Sequence, residues 1–137
     1  MSVELAIQIA LRARFITTAD IVQLVPADNI VDRSSLPPLD PSIVLGEVQI
    51  VDEGDSIKRD RLRVYSTVHI WKREESLSTV RQVGWGIRTA LRRGHLDLGP
   101  DFQCADCFVA SQRNLRDPDG MTTHGIVTIE TLVKVLA

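Results

Sequence analysis

The stretch RLRVYSTVHIW (61–71) alternates without a break. Leu62, Val64, Ser66, Val68 and Ile70 share one face, and Arg63, Tyr65, Thr67, His69 and Trp71 share the other. A period of two is that of a β-strand. The next segment, ESLSTVRQVGWGIRTALRRG (75–94), switches period: Leu77, Val80, Gly84, Ile87 and Leu91 recur at three and four, with Val83 and Ala90 widening the stripe. That is an amphipathic helix, with Ser76 or Ser78 placed to cap its start and Gly94 its end. A half-buried strand followed by a helix with one apolar stripe confines the chain to folds in which helices pack on a sheet.

Gly84 and Gly86 inside that helix each cost roughly 1 kcal/mol against alanine, and close packing of the helix on the sheet explains them. The remaining segments fill in the same plan. Residues 3–14 space Leu5, Ile9 and Arg12 on one side, with Val3, Ile7, Ala10 and Leu11 close by, as a helix capped by Ser2. TTADIVQLVP (17–26) reads as a short second helix that Thr17 or Thr18 can cap and Pro26 stops. Pro37, Pro38 and Pro41 bar regular helix from residues 29–42 and leave an extended loop.

SIVLGEVQIVDEG (42–54) is rich in β-branched residues, with Gly46 a bulge or close-approach point, and a charged connection leads from it to the strand at 61–71. The C-terminal third reads as a hairpin about DPDG (117–120), whose Asp, Pro and Gly fit a type I turn. In its last strand Val127, Ile129, Thr131, Val133 and Val135 form one face, and Ile126, Leu132 and Leu136 lie on the other. The expected architecture is a single α+β domain over 1–137. Its mostly antiparallel sheet of four or more strands is packed by an N-terminal helix and one long central helix.

The only two cysteines, Cys104 and Cys107, are spaced C-x-x-C. In a regular strand they point to opposite faces, with Cα atoms about 10 Å apart at about 3.3 Å per residue. A disulfide needs roughly 4.4–6.8 Å. The redox form of the motif opens a helix, and FVASQ after Cys107 is strand-like. Zinc needs further ligands, yet only His69, His95 and His124 are on offer, and His69 sits mid-strand without a paired ligand nearby. Both cysteines read as packing residues. Two cysteines without a secretory leader at the N-terminus point to a reducing compartment.

A net charge of −2 argues against a nucleic-acid surface, although paired arginines such as Arg92 and Arg93 leave room for local positive patches. The aromatic fraction of 4% leaves little for base stacking. No run approaches the roughly 20 apolar residues of a membrane-spanning helix. Asp52, Glu53, Asp55 and Asp60 lack the alternating acids of a calcium loop, and Lys58, Arg59 and Arg61 make the connection mixed in sign, which favours protein contacts. Tyr65, His69 and Trp71 share a face but show no nucleophile with a fixed partner, so no catalytic residue, cofactor or metal is assigned. A half-exposed sheet face, or one covered by a neighbouring subunit, accounts for them. The two competing readings are a small cytosolic enzyme or ligand-binding protein using that face, and a redox or metal protein using the cysteines.

Taken in order, IVDRSSLPPLDPSIVLGE (30–47), VYSTVHIWKREESLSTVRQVGWGIRTAL (64–91) and the closing VTIETLVKVL (127–136) resemble the tail-completion, or tail-terminator, family of siphophages and gene transfer agents. The resemblance covers nearly the whole chain. It implies a structural protein of the virion or phage-like particle, assembled in the host cytoplasm. It implies a ring, typically a hexamer, that ends the tail tube and joins it to a head-side neck or connector protein; another neck component of the same particle is the alternative. No membrane and no specific nucleic-acid contact is implied, with DNA passing through the ring. On this reading the contact loops are the proline loop, with Ser35, Leu36 and Leu39, and the charged loop, with Asp52, Glu53, Asp55, Lys58, Arg59 and Arg61. Tyr65, His69 and Trp71 fall to a subunit interface.

Overall fold

The computed structural model describes residues 1–33 and 38–136. The strand β3 (Arg61–Lys72) lies at the centre of a five-stranded sheet. Its alternation is realised as expected: Val64, Ser66, Val68 and Ile70 are buried, and the residues between them are half-buried. On one side β3 pairs antiparallel with β2 (Ser42–Asp52), and beyond that β1 (Ile30–Val31) pairs parallel with β2. On the other side it pairs with β5 (Thr123–Val135), which pairs in turn with β4 (Phe102–Arg116). The order is β1-β2-β3-β5-β4. The fold is α+β with a mostly antiparallel sheet, and the parallel β1 is an addition to the expected loop over 29–42.

Helices α1 (Val3–Ile16) and α3 (Ser78–Leu91), with the single turn α2 (Ala19–Val22), cover one face of the sheet. One core cluster joins Ile7, Leu11 and Phe15 of α1 and Val80, Val83 and Ile87 of α3 to Val64, Val68, Ile70, Val127 and Ile129 of the strands. Burying a side chain such as these is worth about 1.5–3 kcal/mol each. The helix ends hold each other. Arg14 donates to Ala90 O (2.8 Å), Gly94 O (3.1 Å) and His95 O (3.1 Å) beyond the end of α3. Arg93, just after α3, donates to Thr17 O (3.2 Å) and Arg14 O (3.4 Å) at the end of α1. Each cation satisfies carbonyls that a helix C-terminus leaves without partners. Arg93 thus serves as a cap and not as part of a basic patch.

Several local expectations change. In α1 the buried face is Val3, Ala6, Ile7, Ala10, Leu11 and Phe15, whereas Leu5 and Ile9 are exposed. Apolar residues flank both sides of the polar stripe Glu4, Gln8 and Arg12, so the sequence of the helix does not choose which side is buried. Ser2 caps α1 by accepting from Leu5 N, but Thr18 instead donates to Arg14 O, and neither it nor Thr17 caps α2. At the start of α3, Ser76 accepts from Ser78 N (3.1 Å) and the Glu74 carboxylate accepts from Thr79 N (3.1 Å). Gly84 does face the sheet, against Gln112 of β4, but Gly86 packs against Ile21 and Asp20 of α2.

The cysteines are the clearest departure. A register shift between Cys104 and Asp106 inserts one extra residue, and both thiols end on the helix-covered face. A bulge places two strand residues against one on the partner and resets the alternation. Both cysteines are free and buried, and burial pushes the Cys107 thiol up to about 11 and raises that of Cys104. They are packing residues, on one face and not on two.

Candidate assembly surface

The face of the sheet that the helices leave uncovered carries Arg63, Tyr65, Thr67, His69 and Trp71 from β3 and His124, Ile126, Thr128, Glu130 and Leu132 from β5. Every one of them is half-buried, shielded by lateral neighbours and not by a second layer. Pairing of Trp71 with His124 stacks the two rings at 3.7 Å and 9°. His124 also meets His69, whose Nδ1 lies 2.8 Å from His124 Nε2, and His69 Nε2 lies 3.3 Å from both oxygens of Glu47. The expectation that His69 lacks a partner was therefore wrong.

A carboxylate only accepts, so His69 Nε2 carries the proton given to Glu47. Of the facing His69 Nδ1 and His124 Nε2, one donates and the other accepts. Partial burial, and then the neighbouring His69, push the pKa of His124 below the ordinary 6.5. Its own backbone N–H and then His69 lower that of Glu47. Gly46 sits in the β2 bulge because β3 passes so near: an added Cβ would meet His69 Cδ2 at 2.9 Å and Thr67 O at 3.0 Å.

Beyond that bulge the end of β2 and the charged loop 53–60 form an arm along β3, which stays paired with β5 down to Arg61. Residues 47–52 of β2 are all exposed, including Val48, Ile50 and Val51, and Ile57 at the loop tip is 100% exposed. Ion pairs brace the arm: Asp52 with Arg59 at 3.5 Å, Asp55 with Arg61 at 3.3 Å, and Glu53 with Arg63 at 2.6 Å. Arg63 is also paired with Glu130, and the Glu53 carboxylate first, then Glu130, keeps its guanidinium firmly charged. Lys58 stands exposed in the same loop.

At the other end of the sheet a groove of about 700 Å³ is lined by Leu39, Val44, Trp71, Met121 and the cations Arg33 and Arg73, among others. Tyr65 and His69 do not line it, so the three face residues do not converge on one cavity. Ser35 and Leu36 lie outside the described residues. Sequence reasoning missed the roles of His124 and Glu47, which only strand register reveals, and the exposed surfaces at Leu5, Ile9 and Trp85, the last 64% exposed on α3. Among the described residues no group of three or more His, Cys, Asp or Glu side chains is placed to hold a metal ion. Among the same residues no hydroxyl or thiol is hydrogen-bonded to either imidazole, and no helix is long and apolar enough to cross a membrane.

The mostly antiparallel sheet with helices on one face and a second face left uncovered is a fold that two solved structures share. It superposes with a TM-score of 0.83 on a chain from the virion of a native gene transfer agent particle, at 16% identity over 97% of this chain and 98% of that one. It superposes with a TM-score of 0.59 on the gp17 protein of bacteriophage SPP1, at 18% identity over 96% and 89%. No curated protein matches. The family described as tail completion protein gp17 matches residues 9–134, and the chain belongs to that family. Its members are structural proteins of phage-like tails.

Proposed function

We propose that copies of this chain close into a six-membered ring that ends a tail tube and joins it to the head-side neck protein, with DNA passing through the opening. The observation that carries this reading is the pair of unlike exposed surfaces on a member of this family. One is the arm with Val48, Ile50, Val51 and Ile57. The other is the uncovered sheet face with Tyr65, His69 and Trp71. A ring needs two different patches per subunit, joined by a rotation that closes. Permanent interfaces commonly bury about 2,000 Å² or more, and the apolar groups exposed here supply material for one.

The arm, with Asp52, Glu53, Asp55, Lys58, Arg59 and Arg61, is the contact for the tail tube or the neck protein. The proline loop, with Ser35, Leu36 and Leu39, is the second such contact. Loops carried by a rigid sheet are where recognition resides. Tyr65, His69 and Trp71 lie towards the neighbouring copy. Sizing the purified chain by light scattering, alone and mixed with tail-tube protein, tests the reading. The expected species is six times 15.2 kDa, free or bound to tube. A chain that stays at 15.2 kDa in both samples overturns it.

A further inference from the structure

Along the outer rim of β2, the strand β1 pairs only with Ile43 and Val44. Over 46–52 that rim has no strand partner among the described residues. An open rim is a row of unpaired N–H and C=O groups, which soluble proteins blunt with bulges, charges or proline. The β2 bulge lies at its start, between Leu45 and Val48, and from Val48 to Asp52 the ladder with β3 is regular. Val48, Ile50 and Val51 stand exposed there, on both faces of the strand. This stretch has the composition of a paired strand and lacks its second partner.

The opposite rim of the same sheet is also open, because among the described residues β4 pairs only with β5. Three successive antiparallel pairings separate β2 from β4, so the two strands run in opposite senses. Laid beside β2 of the next copy without inversion, β4 makes an antiparallel pair. We infer that copies of this chain join edge to edge, the 48–52 rim of β2 in one taking the 104–113 rim of β4 in the next. This junction rests on the ring proposed above and makes the β4 rim, in place of the sheet face, the patch that receives the neighbour's β2.

The ladders fix which residues of the two rims stand level. Val48 is level with Ser66, Ile129 and Val109, and Asp52 with Leu62, Val133 and Cys104. On the helix side Val48 therefore meets Val109 and Ile50 meets Cys107. On the uncovered side Val51 meets Asp106, and the exposed Phe108 meets Gln49 with Val51 on its diagonal. Glu47 and Arg113, both exposed and both on the uncovered side, fall within a few residues of one another's level. The alternative of two β2 rims pairing with each other about Ile50 sets Glu47 against Glu53, and like charges directly opposite are unfavourable.

Hydrogen exchange of the full-length chain, dilute and assembled with itself or on tail tubes, reads both rims. Amides in 48–52 and 104–113 are expected to slow about tenfold or more on assembly, as newly paired strands do. Ile50→Lys is expected to keep the slow exchange of β3 and β5 but remain a single subunit. Arg113→Glu is expected to weaken assembly and Glu47→Lys with Arg113→Glu to restore it. An assembly whose two rims exchange as fast as in the dilute chain overturns the junction and leaves the ring standing, as does Ile50→Lys assembling like the parent. A parent chain that neither self-associates nor binds tubes overturns the ring and the junction together.

Discussion

Nδ1 of His69 and Nε2 of His124 lie 2.8 Å apart across the β3–β5 ladder, with Glu47 on the far nitrogen of His69. Partial burial and then the neighbouring His69 favour the neutral form of His124. The folded chain therefore resists a proton that the unfolded chain accepts near pH 6.5, since the pKa of His124 is lowered. A depressed folded-state pKa gives stability that is complete above the unfolded value and lost as pH falls through the folded one. The urea midpoint should be level above about pH 7 and decline below about 6.5. His124→Gln should flatten that decline between pH 6.5 and 5. An equal decline in the variant would remove His124 as its source.

The reciprocal helix caps carry stability that no apolar contact replaces. Arg14 makes three hydrogen bonds to Ala90, Gly94 and His95. Hydrogen bonds to a charged group are worth about 1.5–3 kcal/mol in net terms. Arg14→Met keeps much of the stem and loses the fork, and should destabilise by about 2 kcal/mol. Denaturant titration at constant slope measures it. A change within about 0.5 kcal/mol would mean that water serves those carbonyls equally well.

Two glycines separate backbone from side-chain obstruction. At Gly46 a methyl group meets the backbone oxygen of Thr67 at 3.0 Å as well as the His69 ring. At Gly84 its three nearest atoms all belong to the amide end of Gln112, and that side chain can swing aside. Alanine also gains roughly 1 kcal/mol of helix propensity at Gly84. Gly84→Ala should lie within about 1 kcal/mol of the parent, and Gly46→Ala should cost about 1–3 kcal/mol. Thermal unfolding of the two variants side by side decides the order.

Reversal of the arm acids should separate folding from assembly. Asp52, Glu53 and Asp55 each pair with an arginine of the arm. Exposed pairs of this kind are worth about 1 kcal/mol or less apiece. Asp52→Lys, Glu53→Lys and Asp55→Lys together should leave the chain folded, while particle yield falls about tenfold or more, because like charges set against a partner are costly. Circular dichroism and counts of completed particles give the two readings. Normal yield would remove the arm from the contact.

The parts of the fold legible in the sequence are those where periodicity leaves one answer. Val64 to Ile70 and Val127 to Val133 alternate cleanly, and the α3 stripe from Val80 to Leu91 has a polar opposite face. Where periodicity was ambiguous or broken, the reading failed for a physical reason. In α1, Leu5 and Ile9 are as apolar as Ile7 and Leu11, and only packing against α3 and β1 chooses between them. At Cys104 the bulge is set by how β4 pairs with β5, which no local pattern announces. The site was half legible for the same reason. His69 and Trp71 stand out on their strand, but His124 joins them only through the β3–β5 register.

Electron microscopy of isolated tail tubes incubated with the purified chain reads the assembly itself. One six-fold ring is expected on a single end of each tube, with an open centre and the arms directed along the tube axis or towards the neck. Bare tube ends in the presence of excess folded chain would contradict it.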